Sequence, residues 1–122
     1  MKKDIETSKD IALLVETFYT EIMQDELLGP VFLQHNFNLE GHLPVMISFW
    51  EGILFDIHTY KGNPVRVHQE MNAFSPLLPL HFKRWLTIWS ATANKLFAGA
   101  RTEEVVARAK TIASILEAKL IA

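Results

Sequence analysis

The stretch from about Ser8 to Gln24, SKDIALLVETFYTEIMQ, is the clearest structural signal in the chain. Its apolar residues recur at the spacing of one stripe along an α-helix. These residues are Ile11, Leu14, Val15, Phe18 and Ile22. Thr7 or Ser8 can cap the start of the helix. Gly29-Pro30 stops the pattern, because glycine tolerates a left-handed turn and proline has no N–H to donate. The stretch therefore predicts a long amphipathic helix.

Three further segments repeat the helical period. One runs from about Leu39 to Phe55, and its Pro44 requires either a start near Gly41 or a distorted first turn. The next ends at Gly99, and Thr102-Glu103-Glu104 caps the last, with acidic groups where the helix dipole favours them. No segment shows the period of two that marks a strand. The sequence therefore predicts an all-α fold with four long helices.

The centre of the chain, between Asp56 and Pro79, contains more loop than a compact helical bundle usually needs. Asn63-Pro64 is a good helix start, with a capping side chain followed by proline at the first helical position. The sequence predicts a helix of about two turns there, and it carries His68. Because a short helix tethered by loops contributes little to a core, this position favours a ligand role.

Length and composition restrict the class of protein. A chain of 122 residues and 14.0 kDa predicts one domain, spanning residues 1–122. The net charge of -2 removes the electrostatic basis for nucleic-acid binding. The absence of cysteine excludes disulfides, thiolate metal sites, a cysteine nucleophile and covalently attached haem. No apolar run has the length of a membrane span and the first residues do not form a secretory signal, so the sequence predicts a cytoplasmic protein.

Histidines are the informative candidates for chemistry, because the chain has no P-loop, GxGxxG, GxSxG or HExxH motif. A single histidine is more often structural than a ligand. His35 and His58 lie in polar or turn sequence and are assigned to the surface, and His81 opens a helix. His42 and His68 are more constrained by their neighbours. His68 follows the Asn63-Pro64 helix start by just over one turn, which sets the face that its ring occupies, and His42 begins a helix whose inward residues include Met46 and Ile53.

Six segments, in this order, resemble the group III truncated haemoglobins over nearly the whole chain. They are Phe18-Tyr19, Leu28-Gly29-Pro30-Val31-Phe32, His42-Leu43-Pro44, Phe49-Trp50, Tyr60-Lys61-Gly62-Asn63-Pro64 followed by His68, and Phe82-Lys83-Arg84-Trp85-Leu86. Any one segment alone would be weak, but the combination of FYxxI, LGPxF, FW and YxGxPxxxH is specific. The resemblance implies a shortened globin fold, in which a two-over-two helical sandwich encloses haem b.

The resemblance also implies roles for individual residues. His68 is the expected proximal iron ligand, and Tyr19, His42 and Trp85 are expected to line the distal side. The candidates for the apolar haem walls, each equally consistent with plain core, are Phe18, Phe32, Met46, Trp50, Phe74 and Trp89. The expected propionate contacts are Tyr60, Lys61 and Arg66. His81 is the rival iron ligand, but His68 is preferred because it follows the Tyr-Lys-Gly-Asn-Pro segment.

The leading functional prediction is a haem protein that binds oxygen and related diatomic ligands, including nitric oxide and carbon monoxide. A second hypothesis is an enzyme for nitric oxide dioxygenation or peroxide chemistry, which would require an external reductase because the chain carries no reductase domain. A third is a haem-free helical interaction module, which would be colourless when purified. A monomer or weak dimer is expected.

Overall fold

The computed structural model describes residues 2–34, 39–57 and 78–121, and it is helical without strands in these ranges. The all-α prediction is confirmed. The bounds of the helices are α1 Ser8–Gln24, α2 Leu28–Gln34, α3 Leu39–Phe55, α4 Pro79–Leu96 and α5 Ala100–Ile121. Among the described residues, no helix combines the length and the apolar character that crossing a membrane requires. The predicted bounds of α1 and α3 match the structure.

The sequence did not predict α2. The structure ends α1 at Gln24 and starts a seven-residue helix at Leu28, so Gly29-Pro30 lies inside this helix. Pro30 fits because the first turn of a helix needs no N–H donor from it. Pro44 lies within α3, which begins five residues earlier at Leu39. Pro44 has no backbone N–H, so the helical hydrogen bond to the carbonyl of Glu40 is missing. Glu40 is exposed, so this gap lies at the surface of the protein and not in its core.

The helices pack as two pairs, α1 with α3 and α4 with α5, and α1 also crosses α4. This is the expected two-over-two arrangement. The apolar stripe of α1 forms the centre of the core, and its members there are Ile11, Leu14, Val15, Phe18, Tyr19 and Ile22. α4 contributes Trp89 and Ala93, and α5 contributes Val105 and Ala109. The pattern read from residues 8–24 therefore determines which face of α1 is buried.

The N-terminal segment caps the start of α5 with the carboxylate of Asp4. Asp4 accepts hydrogen bonds from the backbone N–H of Arg101 and Thr102, both at 2.9 Å, and from the Thr102 hydroxyl at 2.8 Å. Gly99 makes this approach possible, because its φ is 140° and a Cβ there would lie 2.5 Å from Asp4 Cγ. The cap of α5 therefore comes from a residue 97 positions upstream of Arg101, and not only from the predicted Thr102-Glu103-Glu104.

Asp4→Ala is expected to lower the free energy of unfolding by about 1–2 kcal/mol, because three donors at the start of α5 lose their acceptor. Desolvation opposes the charged form, but the hydrogen bonds from Arg101, Thr102 and Ile5 outweigh it and lower the pKa of Asp4 to about 2. A carboxyl with a lowered folded pKa stabilises above its unfolded pKa of 3.8, and this contribution is lost as the pH falls towards 2.

Urea unfolding at neutral pH measures the effect, with the exposed Glu16→Ala as the matched control. Asp4→Asn retains an oxygen acceptor and should cost less than Asp4→Ala. Identical urea midpoints for Asp4→Ala and Glu16→Ala would contradict the assigned cap.

Candidate functional site

Three helices bring two of the predicted distal residues, Tyr19 and His42, together with Phe32, a predicted haem-wall residue. Tyr19 comes from the second half of α1 and is 7% exposed. Its ring meets the imidazole of His42, on the first turn of α3, edge to face with centroids 5.5 Å apart and an interplanar angle of 86°. Phe32 of α2 contacts the same tyrosine ring at 6.2 Å. The structure therefore places a phenol and an imidazole side by side against an apolar aromatic wall.

The environment of Tyr19 keeps its hydroxyl in the donor form. Burial raises the pKa of the phenol above its usual value of 10.0, because an apolar environment disfavours the phenolate. The hydroxyl is therefore protonated at any physiological pH and has a proton to donate. Phe18, the preceding residue, packs edge to face on Tyr19 at 5.0 Å and restricts how the ring can move.

Trp85 joins this region through Phe18. The two rings are 5.8 Å apart and nearly perpendicular, and Trp85 is only partly buried. Phe18 also meets Trp89 at 4.9 Å, one helical turn further along α4. The predicted distal tryptophan and the predicted distal tyrosine are thus neighbours of the same phenylalanine ring.

α3 provides an apolar surface beside the phenol and the imidazole. Met46, a predicted haem-wall residue, is half-buried and packs against the main core. The other half-buried apolar side chains of α3 that pack against this core are Leu43, Ile47, Phe49, Ile53, Leu54 and Phe55. Trp50, also predicted for the haem wall, is 4% exposed and stacks on Trp89. Phe18 and Trp89 are both almost fully buried within the core.

The proximal half of the predicted site lies outside the described residues. This applies to the predicted iron ligand His68, to the haem-wall residue Phe74 and to the propionate contacts Tyr60, Lys61 and Arg66. His35 and His58, which were assigned to the surface, also lie outside the described residues. These assignments stay predictions.

His81, the rival iron ligand, has a structural partner. The Nδ1 atom of its ring accepts a hydrogen bond from the backbone N–H of Leu78 at 2.9 Å, and the backbone N–H of His81 donates to the carbonyl of Leu78 at 2.9 Å. His81 therefore closes the first turn of α4. When Nδ1 of a neutral imidazole accepts a hydrogen bond, the proton lies on Nε2. Neither ring nitrogen then offers a lone pair to a metal, which argues for a capping role.

A pH series on His81→Gln tests this capping role. Glutamine at the third helical position keeps an acceptor for the Leu78 N–H and removes the titrating ring. Desolvation lowers the pKa of His81 below its usual 6.5. A histidine with a lowered folded pKa stabilises fully above its unfolded pKa, and this stability is lost as the pH falls through the folded value. We expect the Tm of the unmodified protein to fall more than that of His81→Gln between about pH 7.5 and about pH 5. Parallel Tm profiles would contradict the capping role.

One long-range ion pair fixes α2, and with it Phe32. Arg84 on α4 donates from Nε and Nη2 to Oδ1 of Asp25 at 2.8 Å and 2.7 Å. The other carboxylate oxygen accepts the backbone N–H of Leu27 and Leu28, which caps α2. The hydrogen bond from Arg84 lowers the pKa of Asp25. Sequence reasoning missed this pair, because its members are 59 positions apart and no local pattern connects them.

A cavity of about 470 Å³ opens between the first half of α4 and the second half of α5. The described residues that line it are Pro79, Leu80, Phe82, Lys83, Leu86, Ala113, Ser114 and Glu117. None of the residues predicted for the haem site is among them. Phe82, one of the lining residues, is buried and belongs to a small apolar cluster against which Trp85 packs. The position of the cavity depends on how α4 and α5 cross, which the sequence alone does not indicate.

The chain is similar to one group of known proteins. No protein-family model matches it. A curated protein of Campylobacter jejuni, described as a group 3 truncated haemoglobin, is 27% identical over 118 residues, covering 93% of this chain and 91% of that protein. The crystal structure of a group III truncated haemoglobin from Campylobacter jejuni superposes with a TM-score of 0.86. That match is 27% identical and covers 98% of this chain and 95% of the other. Both similarities confirm the resemblance inferred from the sequence.

Proposed function

Because the chain has the truncated globin fold and resembles the group III truncated haemoglobins, we propose that it is a haem protein that binds oxygen and related diatomic ligands. Residues 1–122 form one haem-binding domain, and His68 is the iron ligand. The haem is of the b type, because a chain without cysteine cannot attach the porphyrin covalently. The observation that carries the proposal is the contact between Tyr19 and His42 across α1 and α3.

The side chains around that contact have the chemistry that a haem distal pocket needs. A gas-binding haem requires an apolar enclosure with a small number of hydrogen-bond donors aimed at the ligand. Tyr19 supplies a hydroxyl that stays protonated, and His42 supplies an imidazole on the facing helix. Phe32 and the half-buried Met46 supply apolar surface beside them. This set of donors suits haem better than it suits a hydrated metal ion, since it contains no carboxylate.

Haem, when bound, would supply an iron that holds a diatomic molecule reversibly. The side chains around it would set the rate at which that molecule dissociates. Tyr19 is positioned to donate a hydrogen bond to a polarised ligand, which would stabilise it by about 1 kcal/mol or more. The Trp85 indole N–H is a second candidate donor, and His42 is a third. Because at least two donors adjoin the same region, ligand release is expected to be slow, which suits sensing or chemistry better than transport.

Absorption spectroscopy of the reduced protein tests the proposal. We expect a Soret band after expression with sufficient haem, and a shift of that band when carbon monoxide or oxygen is added. A colourless protein that does not take up added haem would instead favour the haem-free interaction module. If haem is bound but the absorption spectrum of the reduced protein does not change when either gas is added, the ligand-binding function is contradicted and haem binding stands.

A further inference from the structure

All three tryptophans of the chain lie in one continuous stack, which we call the indole stack: Trp85, Trp89 and Trp50. Trp85 and Trp89 are one turn apart on α4, with ring centroids 6.0 Å apart and an interplanar angle of 2°. Trp89 and Trp50, from α4 and α3, are 4.9 Å apart at 19°. Two helices that are distant in sequence therefore place three nearly parallel indoles in a row.

The ends of the indole stack lie in different surroundings. Trp85 is only partly buried and contacts Phe18 beside the Tyr19 region, whereas Trp89 is 1% exposed. Trp50, at the far end, is also buried, and it contacts Phe49 at 5.4 Å. Aromatic pairs commonly prefer perpendicular or offset packing, and any of these geometries would fill a core. Core packing alone does not require three indoles in a row that starts at the proposed haem pocket.

Indole and phenol are among the protein side chains that are most readily oxidised by one electron, and they differ in what oxidation requires. A phenol loses its proton when it loses an electron, and burial raises the pKa of Tyr19, so this proton is held firmly. An indole can lose an electron and keep its N–H. Trp89 Nε1 donates to the carbonyl of Val105 at 3.1 Å, an acceptor that does not take the proton away. An oxidised Trp89 can therefore take an electron from a neighbouring indole instead of losing its proton.

We propose that the indole stack is an electron relay, which draws an oxidising equivalent away from the haem pocket when the protein reacts with hydrogen peroxide. This inference rests on the proposed function, because it requires haem beside Trp85. Trp85 gives up an electron first. An electron from Trp89 then reduces Trp85, and an electron from Trp50 reduces Trp89. The radical therefore comes to rest at the far end of the stack.

The electrons and atoms balance over a complete cycle with a phenol-class reductant. The O–O bond of hydrogen peroxide breaks, and the peroxide takes up two electrons and two protons and leaves as two molecules of water. Two phenol molecules each lose one electron and one proton. The relay passes electrons from the Trp50 end towards the pocket. When no phenol is present, Trp50 supplies both electrons, takes an oxygen atom from water and loses two protons. Hydrogen peroxide and Trp50 then become one molecule of water and a stable hydroxylated tryptophan.

Radical trapping in the haem-loaded ferric protein tests the relay. The protein is mixed with an equimolar amount of hydrogen peroxide without reductant, and is then frozen for electron paramagnetic resonance. We expect an organic radical whose signal narrows when the tryptophans are deuterated and does not change when the tyrosines are deuterated. Peptide mass spectrometry of the unfrozen sample is expected to find oxygenated Trp50.

Three phenylalanine and leucine variants separate the relay from simple packing. Trp89→Phe removes the middle indole, so oxygenation of Trp50 should be lost and oxygenation of Trp85 should rise. Trp50→Phe leaves the other two indoles in contact, so oxygenation should move to Trp89. Phe97→Leu, which alters a residue that is 2% exposed and outside the stack, controls for core damage and should leave oxygenated Trp50 in place. Trp50→Phe provides an independent test if Trp89→Phe does not fold.

The outcomes distinguish this inference from the proposed function. If the protein without substitutions takes up no haem, as its Soret absorbance would reveal, the proposed function itself fails. If haem binds but the radical narrows with tyrosine deuteration, the relay is wrong and ligand binding stands. Oxygenated Trp50 that persists in Trp89→Phe, or oxygenation that does not reach Trp89 in Trp50→Phe, would also overturn the relay.

Discussion

Substitution of His68 by alanine is expected to abolish stable haem binding, while His81→Ala leaves one haem per chain. The coordinate bond from a neutral imidazole fixes the iron in a globin-type site, and no thiolate can replace it in a chain without cysteine. His68 follows the Tyr-Lys-Gly-Asn-Pro segment that carries the resemblance. His81 uses its Nδ1 lone pair to close the first turn of α4. Its loss should cost about 1 kcal/mol of folding stability and no haem.

The measurement is the ratio of Soret to protein absorbance after haem has been added and excess has been removed by gel filtration. Adding imidazole to His68→Gly is the matched control, because a free imidazole can occupy the space left by the side chain and restore the spectrum. Equal haem loss in His68→Ala and His81→Ala would reject the choice of ligand. Normal haem retention in His68→Ala would reject it as well.

Tyr19→Phe is expected to accelerate oxygen dissociation roughly tenfold, which corresponds to about 1.4 kcal/mol for one lost hydrogen bond. The substitution removes only the hydroxyl, since phenylalanine can keep the edge-to-face contacts with Phe18, Phe32 and His42. Burial raises the pKa of the phenol and keeps it a donor, so the effect should be the same across neutral and moderately alkaline pH.

Stopped-flow replacement of bound oxygen by carbon monoxide measures the dissociation rate. Tyr60→Phe is the matched control, because Tyr60 is the other of the two tyrosines in the chain and is proposed to lie near the propionates. That variant should release oxygen at the unaltered rate. If Tyr19→Phe also left the rate unchanged, Tyr19 would have no place in the distal network.

The helices that could be predicted from the sequence are those whose signals are local. The stripe from Ile11 to Ile22 is complete within α1, and the extent of α3 follows from its own apolar period. The alternative start near Gly41, which Pro44 suggested, is wrong, because α3 begins at Leu39. α2 was missed because Leu28-Gly29-Pro30 contains two residues that usually interrupt helices. The structure uses the proline in a first turn, and Asp25 caps that turn with support from Arg84. Only the tertiary fold brings this arginine close to the carboxylate.

The same distinction between local sequence signals and contacts made by the tertiary fold applies to the candidate site. The resemblance implies a distal role for Tyr19 and His42, which stays a prediction, and the structure brings their rings into contact although they lie on different helices. The resemblance gives Trp50 as a candidate for the haem wall, and the structure stacks this indole on Trp89. The indole stack, the Asp4 cap and the cavity between α4 and α5 depend on how helices cross. Periodicity along one helix contains no information about that crossing.

Titration of haem into the apo-protein, followed by Soret absorbance and tryptophan fluorescence, tests most directly whether the chain encloses a porphyrin. We predict saturation at one haem per chain, with strong quenching of the indole emission, because Trp85 is expected to border the site and is stacked with the other two tryptophans. A Soret band that grows without saturation, with undiminished tryptophan emission, would show only nonspecific adsorption and would contradict the account.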